Sequence, residues 1–189
     1  GQIQVLSRPL EEQRSAITYV PQRASIDWDF PATVQDVVMM GLYPKLGLLG
    51  RINANHKAQV TSALDRVGML DFAKRQIGQL SGGQQQRVFL ARALVQDAQV
   101  YLLDEPFASV DAATEKAIIT VLHDLRSTGK TVVVVHHDLA TVIDYFDQVI
   151  LINKSIIAAG STQDVFTTEN LQLAYGGRLA ATQLDVVGL

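Results

Sequence analysis

Thr131-Val132-Val133-Val134-Val135 is an unbroken β-branched run, the pattern of a strand buried in a parallel sheet. A second apolar run, Gln99 to Leu103, ends on the adjacent carboxylates Asp104 and Glu105. A third, Ala16 to Val20, stops at Pro21, whose missing N–H cannot continue a ladder. Ile3 to Leu6 is a weaker strand before the loop at Arg8-Pro9. The intervening segments switch to a helical period. Val60, Leu64 and Val67 share a face of a helix over residues 55–69. Val88, Ala91, Leu94 and Val95 do so over Ser81 to Gln96, and Ile118, Val121, Leu122 and Leu125 over Ala112 to Ser127. Ser81 and Gln84 have capping-box spacing, and Gly129 is placed to close the last of these helices. Shorter helices are expected at Val34 to Met40, after Asp71 as N-cap, and at Leu139 to Tyr145. Gln148 to Ile152 and Ser155 to Ala159 pair as a hairpin, and the tail beyond Ser161 is mostly helical.

Strand and helix alternate through the middle of the chain, which predicts an α/β sheet. Residues 30–96 are helix-rich, punctuated early by Pro31, Gly41, Pro44, Gly47 and Gly50, and read as an inserted helical subdomain. The 189 residues suit one domain, and an apolar share of 48% argues against disorder. A net charge of −3 makes no electrostatic case for nucleic acid or anionic lipid. The chain has no cysteine, which excludes disulfides and thiolate metal sites. No apolar run reaches membrane-spanning length.

The chemistry concentrates in two places. Asp104 and Glu105 stand at the C-terminal end of a buried strand, where α/β sheets present their ligands. One carboxylate can hold Mg²⁺ and its neighbour can take a proton from water. Ser81-Gly82-Gly83 opens a helix, where free N–H groups and the helix dipole favour an anion and glycine lets it approach. Alone, each has an ordinary explanation: acid pairs end strands and Ser-Gly-Gly caps helices. His136, His137 and Asp138 suggest a metal cluster, yet neighbouring strand residues point to opposite faces. His56 and His123 fall in polar helical contexts and are expected to be exposed. Gly129-Lys130-Thr131 imitates the end of a phosphate-binding loop. The glycine required five residues earlier is Asp124, and a helix rather than a strand precedes it.

Leu80-Ser81-Gly82-Gly83-Gln84, one helix before Val100-Tyr101-Leu102-Leu103-Asp104-Glu105, resembles the signature and Walker B motifs of ABC-type ATPases. Gln22, in Tyr19-Val20-Pro21-Gln22-Arg23, looks like the Q-loop glutamine. Ser109-Val110-Asp111 is similar to the D-loop, and His137 to the switch histidine. Asp27-Trp28-Asp29-Phe30-Pro31, Asp36 to Gly41, Asp104 to Ala108 and His136-His137-Asp138-Leu139 further resemble the manganese/zinc/iron importer group, although Ser109 stands where glycine is more usual.

The resemblance implies a P-loop NTPase-like ABC core with a helical insert. Residues 1–29 would carry the Q-loop, 30–96 the helical subdomain, 97–160 Walker B, D-loop and switch histidine, and 161–189 a helical tail. It implies ATP as substrate, Mg²⁺ at Asp104 with Gln22 sensing it, Glu105 as general base, and His137 at the γ-phosphate. Ser81, Gly82, Gly83 and Gln84 would face ATP held by a second ATP-binding subunit, and Asp111 would cross that dimer interface. Membrane permease subunits would be partners, with an extracytoplasmic metal-binding protein as an indirect one, and the chain would sit peripherally on the cytoplasmic face of the membrane. Too few residues precede Gln22 to hold the family's P-loop and adenine-stacking aromatic. The chain is therefore expected to be a fragment lacking Walker A, inactive alone and prone to expose apolar strand surface. The alternatives are a naturally short non-catalytic remnant and a soluble, non-transport ABC ATPase. Only a compact insert separates Gln22 from Ser81, which argues against the latter; retained Glu105 and His137 argue against the former.

Overall fold

The computed structural model describes residues 2–22, 30–46, 50–108 and 110–179. Expectations resting on Arg23, Asp27 to Asp29, Gly47, Ser109 and the tail from residue 180 lie outside the described residues. The chain divides into two units, residues 1–135 and 136–189.

The first unit opens with a small antiparallel pair, β1 (Gln4–Val5) and β2 (Arg8–Pro9). Next come β3 (Ile17–Val20), α1 (Val34–Met39), α2 (Tyr43–Leu46) and α3 (Ala54–Arg66). They are followed by α4 (Gly82–Gln96), β4 (Val100–Asp104), α5 (Ala112–Ser127) and β5 (Thr131–Val135). β3, β4 and β5 form a parallel sheet in that order, with Thr18 beside Tyr101 and Tyr101 beside Val132. Because side chains alternate, Thr18, Val20, Tyr101, Leu103, Val132 and Val134 share one face. That face is the core side: Thr18, Val20, Tyr101 and Leu103 are buried, and Val132 and Val134 pack on the same cluster. The opposite face carries Tyr19, Val133 and Val135, each about half exposed (51%, 46% and 49%). The valine run thus forms a parallel strand as expected, but only one of its faces is covered among the described residues.

α4 is the central helix. Val88, Leu90, Ala91, Ala93, Leu94 and Val95 are all buried, and a fully buried valine or leucine contributes about 1.5–3 kcal/mol. Its polar side also meets the sheet. Arg92 donates to the Tyr19 carbonyl (3.2 Å) and Gln96 to the Ile17 carbonyl (2.7 Å). These carbonyls are two residues apart and so leave β3 on the same side, where the strand has no neighbour among the described residues. Arg92 and Gln96, one helical turn apart, satisfy an edge that would otherwise be bare. Asp97 ends α4 in the left-handed region (φ 46) and takes an ion pair from Lys130 at 3.1 Å.

Two local expectations are corrected. Asp71 does not cap a helix: it lies inside a short 3₁₀ turn, Leu70–Phe72, whose preceding residue Met69 makes no side-chain cap bond. His56 is half-buried rather than exposed. It occupies the third position of α3, where its Nδ1 accepts the Asn53 N–H (3.2 Å) while Asn53 accepts the His56 N–H (3.0 Å). The helix expected over 55–69 ends at Arg66, and Gly68 follows in the left-handed region (φ 64).

The second unit holds α6 (Val142–Tyr145), β6 (Gln148–Asn153), β7 (Ser155–Ser161), α7 (Thr162–Val165) and α8 (Thr168–Ala174). β6 and β7 form the expected antiparallel hairpin, and Val142, Phe166 and Leu171 make its small core.

Candidate functional site

β4 carries its two acids to the end of the sheet and aims them at different partners. Tyr19 lies beside Leu102 in the register, so Tyr19, Leu102 and Asp104 share a sheet face. The Tyr19 hydroxyl donates to Asp104 Oδ2 at 3.1 Å. Its pKa is raised, by desolvation first and then by the hydrogen bond and charge of Asp104. Glu105 takes the left-handed conformation (φ 48), and its N–H donates to the Val135 carbonyl at 3.2 Å. The ladder with β5 therefore runs one residue past β4 while the side chain turns out of the strand's alternation. Val20 is level with Leu103, so the chain leaving β3 through Pro21 arrives beside Glu105. There Gln22 Nε2 donates to Glu105 Oε2 at 2.8 Å. Gln22, Asp104 and Glu105 are all half-buried.

The start of α4 is built as its sequence predicts. Ser81 Oγ accepts the Gln84 N–H (3.4 Å) and Gln84 Oε1 accepts the Ser81 N–H (2.9 Å), a reciprocal capping box. The pair fixes the entry of the chain and leaves the first-turn N–H groups of Gly82 and Gly83 without intrahelical acceptors. Two side chains missed in the sequence brace this turn from behind. Gln85 donates to the Ile77 carbonyl (3.2 Å) and Arg87 to the Val67 carbonyl (3.1 Å). Ser81→Ala removes the cap, worth about 1 kcal/mol. A drop of about 2–4 °C in the thermal unfolding midpoint is the expected reading for a chain of this size.

Asp111 caps α5. Its Oδ1 accepts the Thr114 N–H at 2.8 Å and its Oδ2 the Thr114 hydroxyl at 3.1 Å. These two bonds, the backbone one foremost, hold the exposed carboxyl below the usual aspartate range. Thr114 in turn meets the start of α4, where a Cβ on Gly83 would lie 3.2 Å from Thr114 Cγ2 and Oγ1.

Three groupings emerge from the predicted residues: Gln22 with Glu105, Ser81 with Gln84, and Gly83 with Asp111 through Thr114. Tyr19 joins Asp104 without having been singled out. His137 is exposed in the second unit, two residues past the end of β5. His136 is half-buried there, its Nε2 2.7 Å from the Thr141 hydroxyl and its ring edge-on to Phe146. Among the described residues no group of three or more histidine, aspartate or glutamate side chains could hold a metal ion. No helix among them is long and apolar enough to cross a membrane.

A parallel sheet with paired acids at its C-terminal end, a glutamine reaching one of them, and a capped glycine turn beside a second capped helix define a nucleotide-binding cassette of the ABC type. The chain belongs to the ABC transporter family, whose model matches residues 1–108. It is 56% identical over 182 residues to the zinc transport system ATP-binding protein TroB of Treponema pallidum, covering 96% of this chain and 68% of that one. It is 58% identical over 179 residues to the manganese transport system ATP-binding protein MntB of Bacillus subtilis, covering 95% of this chain and 72% of that one. Among solved structures, an inward-facing ABC transporter superposes with a TM-score of 0.78 at 30% identity, over 85% of this chain and 64% of that one. An ATP-binding cassette in its ADP conformation shares the fold, with a TM-score of 0.69 at 22% identity over 90% of this chain and 72% of that one.

Proposed function

We propose that this chain is part of the ATP-hydrolysing subunit of an importer for a divalent metal ion of the manganese or zinc type. One observation supports the chemistry above the others: the Gln22 amide on the Glu105 carboxylate, beside a second acid at the strand end. In this reading Glu105 takes the proton of the attacking water. Gln22, tied to it, orients that water and reports its presence to the loop it belongs to. His137 contacts the γ-phosphate. Ser81, Gly82, Gly83 and Gln84 meet the ATP held by a second ATP-binding subunit through the first-turn N–H groups, and Asp111 crosses the interface between the two.

Asp104 suits Mg²⁺ because one oxygen is occupied by Tyr19 and its Oδ1 takes no hydrogen bond among the described residues. A single carboxylate is the donor set this ion uses together with nucleotide phosphates. When bound, Mg²⁺ would offset the charge that develops on the transferring phosphoryl group. The partners are membrane permease subunits, and through them an extracytoplasmic metal-binding protein, with the chain peripheral to the cytoplasmic face of the membrane. No role with nucleic acid is proposed. The cargo assignment draws on the zinc and manganese relatives, and the ion would be selected by the partners rather than by residues of this chain.

Uptake of Mn²⁺ and Zn²⁺ by cells carrying a deletion of the gene tests the reading. We expect uptake of one ion to fall at least about tenfold and to return when the gene is restored. Unchanged uptake of both ions would rule out the cargo assignment.

A further inference from the structure

We infer that Thr114 is a positioning residue that locks Asp111 and the signature glycine Gly83 into one arrangement. The inference rests on the nucleotide-dependent role proposed for those two positions, and it follows from one buried side chain having two neighbours. Thr114 is only 7% exposed. Its N–H and its hydroxyl reach different oxygens of the same carboxylate, at 2.8 and 3.1 Å. An ordinary N-cap aspartate takes backbone hydrogen bonds at one oxygen and stays free to swing the other. With both oxygens engaged, the plane of the Asp111 carboxylate is set although the residue itself is exposed. On its other side Thr114 fills the space in front of Gly83, where its methyl and hydroxyl both stand 3.2 Å from the position a Cβ would take.

The first turn of α4 therefore rests on the same side chain that orients the cap of α5. A shift of either turn must displace Thr114 and with it the other turn. Gly82 and Gly83 offer their first-turn N–H groups there, so their direction depends on a side chain of the neighbouring helix α5. Two substitutions separate the contacts. Thr114→Val keeps the volume against Gly83 and the N–H bond to Asp111 Oδ1, and loses the hydroxyl bond to Oδ2. Thr114→Ser keeps the hydrogen bond and loses the methyl.

The test uses the whole gene product. ATP hydrolysis is measured against ATP concentration for the wild type, Thr114→Val, Thr114→Ser, Asp111→Ala and the Val/Ala double variant. We expect Thr114→Val to lower kcat about tenfold with KM changed less than about twofold, and Thr114→Ser to stay within about threefold of wild type. On the Asp111→Ala background the valine should have no further effect on kcat, as coupled residues behave in a double-mutant cycle. Wild-type kcat in Thr114→Val, or an undiminished loss on the Asp111→Ala background, would overturn the inference. Thr114→Ala replaces the valine in the same cycle should that chain fail to fold.

Hydrogen exchange without nucleotide gives a reading independent of hydrolysis. The Gln84 and Gln85 amides, bonded to Ser81 Oγ and the Ser81 carbonyl, should exchange about tenfold faster in Thr114→Val while the amides late in α4 keep their rates. Unchanged exchange at Gln84 and Gln85 would sink the coupling to α4. A wild type that hydrolyses no ATP would instead count against the proposed function, and this exchange measurement would still decide the role of Thr114.

Discussion

Glu105→Gln is expected to lower ATP hydrolysis by the whole gene product about 10²–10⁴-fold, the span associated with loss of a positioned general base, the role proposed for Glu105. The substitution keeps the shape of the side chain while it removes the charge, turns one acceptor oxygen into a donor amide and abolishes the ability to accept a proton. Gln22 Nε2 donates to Glu105 Oε2, and the carbonyl oxygen of a glutamine at the same position accepts that bond equally well. The end of β4 is therefore preserved, and its N–H bond to Val135 is untouched because it belongs to the backbone. ATP affinity should stay within about threefold of wild type, since the lost interaction belongs to the transition state alone. Single-turnover hydrolysis with radiolabelled ATP, read beside equilibrium nucleotide binding, separates the two quantities. Hydrolysis at more than a tenth of the wild-type rate would remove Glu105 from the base role. Weakened binding with unchanged turnover would move it to ground-state contacts.

The second large effect lies away from the acids. Gly41 sits in the turn after α1, and a Cβ built there falls 2.2 Å from the Arg92 carbonyl oxygen, a backbone atom that no rotamer change can move. Gly41→Ala must push the 40–42 turn off α4, at a cost typical of overpacking, about 1–3 kcal/mol. The thermal midpoint should fall by about 2–12 °C. Arg92 also stacks on the Phe89 ring at 4.6 Å and donates to the Tyr19 carbonyl, three residues before Gln22. A displaced α4 pulls on that tether, so a secondary loss of activity should accompany the loss of stability. Thermal melts of the two chains settle the first point. A midpoint within 1 °C of wild type would mean that the turn and helix separate at no cost, against an approach this close.

Much of this was legible in the chain because it is local. The reciprocal Ser81–Gln84 box, the turn-by-turn apolar face of the Ala112–Ser127 helix and the end of β4 on Asp104 each depend on residues within four positions of one another. The contacts that make a site of them are not local. Gln22 meets Glu105 across a separation of 83 residues, and Tyr19 meets Asp104 across 85. Both follow only once the register of β3 on β4 is known, which no spacing in the sequence reveals. Gly41 read as loop punctuation, whereas its reason is the carbonyl of Arg92 on another helix. Asp71 misled for the opposite cause. A good capping residue stands in a segment whose backbone closes into a single 3₁₀ turn, leaving no helix for it to cap. His56 was misplaced because histidine is seldom considered a partner for a backbone N–H, although its spacing from Asn53 is that of any capping box. The five-residue strand of threonine and valine formed as expected, with Val133 and Val135 half exposed because burial depends on what covers a face as well as on what composes it.

Position 105 sets two demands against each other. The backbone there is left-handed, a region where glycine and asparagine rest easily and most other residues carry strain of about 1 kcal/mol or more. Aspartate shares that tolerance, as Asp97 shows, but it holds its carboxylate one methylene closer to the backbone. Selection for stability alone would thus draw this position away from glutamate. A lineage released from the need to transport would be expected to lose its glutamate here early, gaining stability as it fell silent. The proton-accepting role proposed for Glu105 would therefore be carried by a residue whose own backbone conformation favours other side chains.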